Sequence, residues 1–288
     1  MQPFDSVSRL EDLRAIDPVV RSVRSVVHRA LKNQRVADLL HGTWLGHPLH
    51  PALVQVPIGA WLAASVLDVA VPGSGPASAT LVGVGLAGAA PAAWAGWADW
   101  ADLPDRPARV GLVHAGTNGL AVGLYAGSLA ARLSGRRGRG KLLALAGLGT
   151  ALGGGVLGGH LAFRQAAGAN HAEYVARLMP TGWTRVARLD ELADGKPVER
   201  MVGPVPIMLL RRHGSVHALA NTCSHLAGPL HEGELSDDPE PCVSCPWHGS
   251  TFRLRDGAVL RGPATAPQPV LETRVQGGEV EVRLEIRG

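Results

Sequence analysis

Cys223-Ser224-His225-Leu226-Ala227-Gly228-Pro229 and Cys245-Pro246-Trp247-His248-Gly249-Ser250 are two short segments, with nineteen residues between His225 and Cys245. In each, one cysteine precedes one histidine by two or three positions. Such a segment brings a thiolate and an imidazole to a shared centre, which is ligation for a metal. Zinc accepts two sulfurs and two nitrogens, but its usual fingers pair like with like, C-x-x-C against H-x-x-x-H. Here each segment mixes the two ligand types. Mixed segments suit a two-metal centre in which the cysteines meet on one metal and the histidines on the other.

CSH followed by AGPL, then CPWHGS followed by Phe252, resemble the Rieske family, and the resemblance spans residues 181–288. It implies a [2Fe-2S] cluster with Cys223 and Cys245 on one iron and His225 and His248 on the other. Zinc remains the alternative. It also implies a small antiparallel all-β sandwich with the two segments as loops at one tip. The apolar or alternating runs Val205–Leu210, Val216–Leu219, Thr251–Leu254, Val270–Val275 and Glu279–Leu284, separated by glycine-rich turns, predict its strands. Gly262–Pro269 looks like the proline-rich segment that covers the cluster from a third side in the family.

Departures from the family's variants carry information. Members of quinol-oxidising complexes place an extra cysteine in each ligand loop, joined by a disulfide. Here those places hold Ala227 or its neighbours and Trp247, the ferredoxin-like type. High-potential members also place a serine and a tyrosine hydroxyl near the cluster sulfurs, and this chain has Ser250 but Phe252. Losing one hydrogen bond to the sulfurs lowers the expected potential. His213, His217 and His231 fit neither segment and are expected on strand surfaces or turns. A self-contained ring-hydroxylating oxygenase is excluded, because its mononuclear iron site needs a further large domain that 288 residues do not provide.

The chain has three cysteines, so assigning two of them leaves Cys242 without a partner and excludes a disulfide framework. Cys242 reads as a buried strand residue. Residues 1–180 carry sixteen Lys and Arg against ten Asp and Glu, and residues 181–288 carry twelve against fourteen. The basic excess therefore surrounds the more apolar half. With no basic stripe interleaved with aromatics, it points to a lipid bilayer and not to nucleic acid.

Four apolar stretches, 52–71, 77–98, 110–131 and 142–163, each approach the ~20 residues that cross a bilayer, with short loops between them. They predict a four-span membrane α-helical bundle ahead of the β domain. Gly111, Ala115, Gly119, Gly123 and Gly127 recur every four residues, as do Ala151, Gly155 and Gly159, forming faces where helix backbones approach closely. Gly83, Gly85 and Gly88 match a dinucleotide fingerprint, but they lie inside an apolar run with no strand-helix-strand unit around them. Ahead of the spans, Val20, Val23, Val27, Ala30 and Leu31 oppose Arg21, Arg24, Arg29, Lys32 and Arg35 at helical spacing. This is a basic amphipathic helix for the membrane surface or for packing on the C-terminal domain. The expected organisation is a tail over 1–46, the spans over 47–164, a helical linker over 165–180 and the β domain over 181–288. No cleaved signal peptide or twin-arginine pair is expected at the start.

Gly46-His47-Pro48-Leu49-His50-Pro51, with His114, Asn118 and Gly159-His160, resembles an uncharacterised family of bacterial four-span membrane domains over residues 40–165. That family transfers no activity. Alternating spans put His50, His114 and His160 near one membrane face, joined by His47, Asp99 and Asn118 and by Trp44, Trp97 and Trp100. Ionisable groups at membrane depth mark function by default. Three readings stand: a b-type haem between two of these histidines, a quinone site that exchanges protons with histidine and Asp99, or a structural network.

The sequence therefore describes a membrane-anchored Rieske protein of a bacterial inner membrane that transfers single electrons. Its expected partner is a redox protein, whether reductase, oxygenase or respiratory component. The alternatives are a quinone- or haem-linked oxidoreductase and a redox sensor. With no export signal and a cluster to be loaded, the β domain is expected on the cytoplasmic side.

Overall fold

The computed structural model of the protein describes residues 5–238 and 240–284. The chain divides into a helical unit, Met1–Val36 with Pro48–Gly168, and a β unit, Ala37–His47 with Ala169–Gly288. In chain order the helices are α1 (Asp5–Glu11), α2 (Asp17–Ala30), α3 (Gln34–His41), α4 (Leu49–Leu53), α5 (Gln55–Ala70), α6 (Gly75–Ala101), α7 (Asp105–Leu133), α8 (Arg137–Gly159) and α9 (Val175–Leu178).

Among the described residues, three helical segments are long and apolar enough to cross a membrane: Leu49–Ala70, which joins α4 to α5, Gly75–Ala101, and Arg137–Arg164. The fourth expected span is α7. It has 29 residues, but His114, Thr117 and Asn118 lower its hydropathy below that of the other three. Inside the unit the Trp61 and Tyr125 rings stack with centroids 4.1 Å apart. A Cβ at Gly85 would lie 2.1 Å from the Trp61 ring, and one at Gly147 would lie 2.9 Å from Tyr125. Gly85, part of the apparent nucleotide fingerprint, is therefore the place where an indole enters a helix interface.

α2 buries Val20 and Val27. Val20 packs with Trp100, Leu103 and Ala108, and Arg109 donates to both carboxylate oxygens of Asp17 (2.6 and 3.0 Å) and to the Glu11 carbonyl (2.7 Å). The amphipathic segment thus packs on α6 and α7 within its own unit, which neither sequence reading named. Its apolar stripe finds cover among the helices, and Arg24 donates to the Leu103 carbonyl (2.6 Å).

The β unit has a six-stranded sheet, order β1-β10-β9-β4-β3-β2, and a four-stranded sheet, order β5-β6-β7-β8. The strands are β1 (Thr184–Arg188), β2 (Val198–Val202), β3 (Val205–Arg212), β4 (Ser215–Ala220), β5 (Glu234–Ser236), β6 (Cys242–Ser244), β7 (Thr251–Arg253), β8 (Val259–Arg261), β9 (Val270–Gln276) and β10 (Glu279–Leu284). The neighbouring strands of both sheets are antiparallel.

The continuous apolar run of β3 has a direct cause. Val205, Ile207 and Leu209 enter one core, while Met208 and Leu210 enter another with Cys223, Cys245, Val243 and Phe252. Successive strand side chains face opposite ways, so a strand with a core on both faces shows no polar alternation. Residues 169–180 are more than a linker. Only Val175–Leu178 is helical, and Val175 and Met179 are buried in the first of these cores.

Candidate metal centre

The two ligand segments fold into loops of the same design, between β4 and β5 and between β6 and β7. In the first, Cys223 N–H donates to the Gly228 carbonyl (2.9 Å) and Ala227 N–H to the Cys223 carbonyl (2.9 Å). In the second, Cys245 N–H donates to the Ser250 carbonyl (2.8 Å) and Gly249 N–H to the Cys245 carbonyl (3.0 Å). The fourth residue after each cysteine has positive φ, 64° at Ala227 and 73° at Gly249. That backbone is left-handed, natural for glycine and mildly strained for alanine.

Each cysteine sulfur also accepts backbone N–H bonds from the residues two and three positions on: His225 and Leu226 for Cys223, Trp247 and His248 for Cys245. Such a nest of amides favours an anionic sulfur. The thiols lie within hydrogen-bonding reach of one another. The Cys223 thiol donates to Cys245 and holds its pKa below the ordinary range, while Cys223 itself is pushed up by that bond and by burial.

The His225 and His248 rings are 5.1 Å apart between centroids and nearly perpendicular, at 89°. Two imidazoles on neighbouring positions of one tetrahedral metal, with metal–nitrogen bonds of about 2.0–2.1 Å, place their centroids roughly 5 Å apart. Burial pushes the His225 pKa down to about 3, helped by His248, His41 and His171, so its imidazole is neutral as a ligand must be. The four side chains therefore pair by type, sulfur with sulfur and imidazole with imidazole. Among the described residues no three His, Cys, Asp or Glu side chains converge on a single ion position. The donor set fits a two-iron cluster better than one zinc.

The expected third loop is tied to both others. Ser250 Oγ, fully buried, accepts from Ala264 N–H (2.9 Å), and Ser224 Oγ donates to the Ala266 carbonyl (2.8 Å). Gln268, 2% exposed, donates to the Ala220 and Thr222 carbonyls (2.7 Å each) and accepts from Ser224 N–H (3.0 Å). Sequence reasoning missed Gln268, whose only signal was one polar residue between two prolines. Gln268→Ala leaves these buried groups unpaired at about 1–3 kcal/mol each. A lower temperature of cluster bleaching in the purified full chain is the expected result.

Other elements of the unit close around this tip. His171 N–H donates to the Ser224 carbonyl (3.0 Å) and Tyr174 Oη bonds Thr222 Oγ1 (2.9 Å). Asp38 of α3 accepts from Gly262 N–H (2.9 Å), and His41, 5% exposed, acts electrostatically on His225. Residues 37–47 belong with the β unit. Gly228 cannot carry a side chain, since a Cβ there would lie 2.7 Å from Cys245 Sγ.

Cys242 is a buried residue of β6, its thiol pushed up by burial and so inert. His213 sits at the β3–β4 turn with φ 51°, His217 on β4, and His231 in a 3-10 turn beside Asn221. Phe252 is fully buried in the core behind the loops and supplies no hydroxyl.

The membrane histidines divide. The His50 and His114 rings approach each other nearly perpendicular, with centroids 6.2 Å apart. His160 instead bonds Glu11 of α1 (2.8 Å), so the structure does not gather the three into one site.

An antiparallel two-sheet domain with two Cys/His loops at one tip defines an iron–sulfur electron-transfer protein. The chain belongs to the Rieske family: residues 182–274 match the Rieske [2Fe-2S] domain. Residues 46–171 match a family described as predicted membrane protein (DUF2231). The chain is 33% identical over 102 residues to the anthranilate 1,2-dioxygenase ferredoxin subunit of Burkholderia cepacia, covering 35% of this chain and 92% of that one. The ferredoxin component of biphenyl 2,3-dioxygenase from Rhodococcus jostii matches with the same identity and coverage. Among solved structures, the ferredoxin of carbazole 1,9a-dioxygenase from Nocardioides aromaticivorans is 32% identical, with 36% of this chain and 98% of that chain covered and a TM-score of 0.34. The Rieske domain implies a [2Fe-2S] cluster and supports electron transfer.

Proposed function

We propose that the protein is a membrane-anchored single-electron carrier in which Cys223 and Cys245 hold one iron of the cluster and His225 and His248 the other. The observation that carries this reading is the pairing of ligands by type at one tip of the β unit. When bound, the cluster supplies a one-electron couple. The chain's own residues do the rest: backbone amides stabilise the two thiolates, burial keeps His225 neutral, and Ser224, Ser250 and Gln268 brace the loops.

The anchor is read as four spans over 47–164. α7 completes it because α6 and α8, each apolar enough to cross, require a return segment between them, and 29 residues at about 1.5 Å each exceed the ~30 Å hydrocarbon core. We read the membrane as a bacterial inner membrane with the β domain over 181–288 on its cytoplasmic side. The partner is a redox protein, reductase, oxygenase or respiratory component, in keeping with the dioxygenase ferredoxins the domain is similar to. A second reading, a quinone- or haem-linked oxidoreductase, draws on the approach of His50 to His114.

A potentiometric titration of carbonate-washed membranes tests the carrier. Ser250 is present but Phe252 supplies no hydroxyl, so the midpoint should fall below the upper end of the roughly −150 to +300 mV Rieske range. A midpoint at that upper end contradicts the argument from Phe252, and a signal left wholly in the wash contradicts the anchor.

A further inference from the structure

His50 and His114 come from different helices, α4 and α7, and each is held the same way. His50 Nδ1 lies 2.8 Å from the Ala92 carbonyl of α6, and His114 Nδ1 lies 2.9 Å from the Gly154 carbonyl of α8. A carbonyl can only accept, so each ring carries a proton on Nδ1, and a ring bound to a metal would offer its lone pair from Nε2. Histidines that bind metals are oriented by this bond from the second nitrogen. Glycines make room for the rings: a Cβ at Gly96 would lie 2.8 Å from His50 Nδ1, and one at Gly158 would lie 3.1 Å from His114 Cε1.

The separation of the two rings is informative. Their centroids are 6.2 Å apart, with the planes at 82°. A direct N–H···N bond of about 2.9 Å would bring them to roughly 5 Å. Two imidazoles on opposite sides of one metal, with bonds of about 2.0 Å, put the centroids roughly 6 Å apart. The His225–His248 pair, at 5.1 Å, has the spacing of neighbouring positions instead.

Asn118 does not fill the gap. Its Nδ2 bonds the His114 carbonyl at 2.9 Å and lies 3.4 and 3.3 Å from Nδ1 and Nε2 of the His114 ring. A group so nearly equidistant from both nitrogens sits over the ring face, away from the line of the Nε2 lone pair.

We propose that His50 and His114 are trans ligands of one metal centre in the helical unit. Among the described residues no third His, Cys, Asp or Glu converges there, so the metal is either carried in a macrocycle, as the iron of a non-covalent haem, or is a two-coordinate cuprous ion. This deepens the second reading above and stands apart from the cluster assignment. His160, paired with Glu11, is outside the site.

The test uses the full chain purified in detergent, supplied with haemin or with cuprous ion under reducing conditions, and read by optical spectrum and metal content. A Soret band that shifts on reduction supports the haem form, and about one copper per chain without a Soret band supports the cuprous form. In either case His50→Ala and His114→Ala each lose the bound metal, while His160→Ala keeps it. His114→Met, which retains a ligand, shifts the spectrum if the alanine variants fail to fold. No uptake of either group by the wild-type chain, or unchanged uptake by either alanine variant, overturns the proposal. The EPR signal of the iron–sulfur cluster, recorded on the same samples, shows separately whether the β unit is loaded.

Discussion

His248→Ala abolishes the EPR signal of a mixed-ligand cluster while the helical unit stays folded, and His225→Ala does the same. In the proposed assignment each imidazole is one of two nitrogen donors whose rings stand 5.1 Å apart. Phe252, Leu254 and Val243 behind the loops offer no ligand. His248→Cys separates loss of a ligand from loss of the loop. A thiolate there permits a cluster, but more sulfur ligation moves the potential toward the roughly −400 mV of all-cysteine ferredoxins. Retention of the native spectrum by His248→Ala contradicts the ligand assignment.

The second large effect is expected in the helical unit. Asp68 and Arg132 are 7% and 8% exposed, and they form a bidentate ion pair with Arg132 Nη1 3.0 Å from Asp68 Oδ1. Arg132 Nε also donates to Ser128 Oγ (3.2 Å), and Lys141 donates to the Asp68 carbonyl (2.6 Å). Removing one partner leaves the other charge buried and unpaired, at a cost of about 3–5 kcal/mol. Asp68→Ala or Arg132→Ala should therefore lower sharply the temperature at which the purified chain loses monodispersity. Asp68→Leu combined with Arg132→Leu should recover most of the loss, because replacing both charges by apolar groups is often neutral. Equal loss in single and double variants contradicts the ion-pair account.

What could be read from the sequence follows the physics of each region. The two Cys/His segments were legible because a metal centre demands rare residue types at fixed local spacing, and a loop around one metal is a local structure. The strands β3, β4, β7, β9 and β10 were legible from apolar runs or alternation. β1 and β2 were not, because Thr184–Arg188 and Val198–Val202 alternate charge with small or apolar residues and lie far from the motif. Gln268 and Asp38 act through contacts distant in sequence, 44 residues from Ser224 and 224 from Gly262, which no local pattern can announce.

In the helical unit, apolar length pointed to the long helices, three of them apolar enough to cross a membrane, and the expectation of alternating spans put several histidines near one face. It could not say which histidine meets which. That depends on helix rotation, set here by contacts such as Gly96 against His50 and Glu11 against His160. The buried pair of Asp68 and Arg132 was hidden for the same reason. Both lie near span ends, where a charge normally reads as reaching water.

The most direct test of the central claim is an EPR spectrum of the dithionite-reduced full chain, taken with iron, acid-labile sulfide and zinc content. Two irons and two sulfides per chain with the low average g-value of a cluster ligated by both sulfur and nitrogen are the predicted result. One zinc per chain and no signal from protein supplied with iron and sulfide would contradict it.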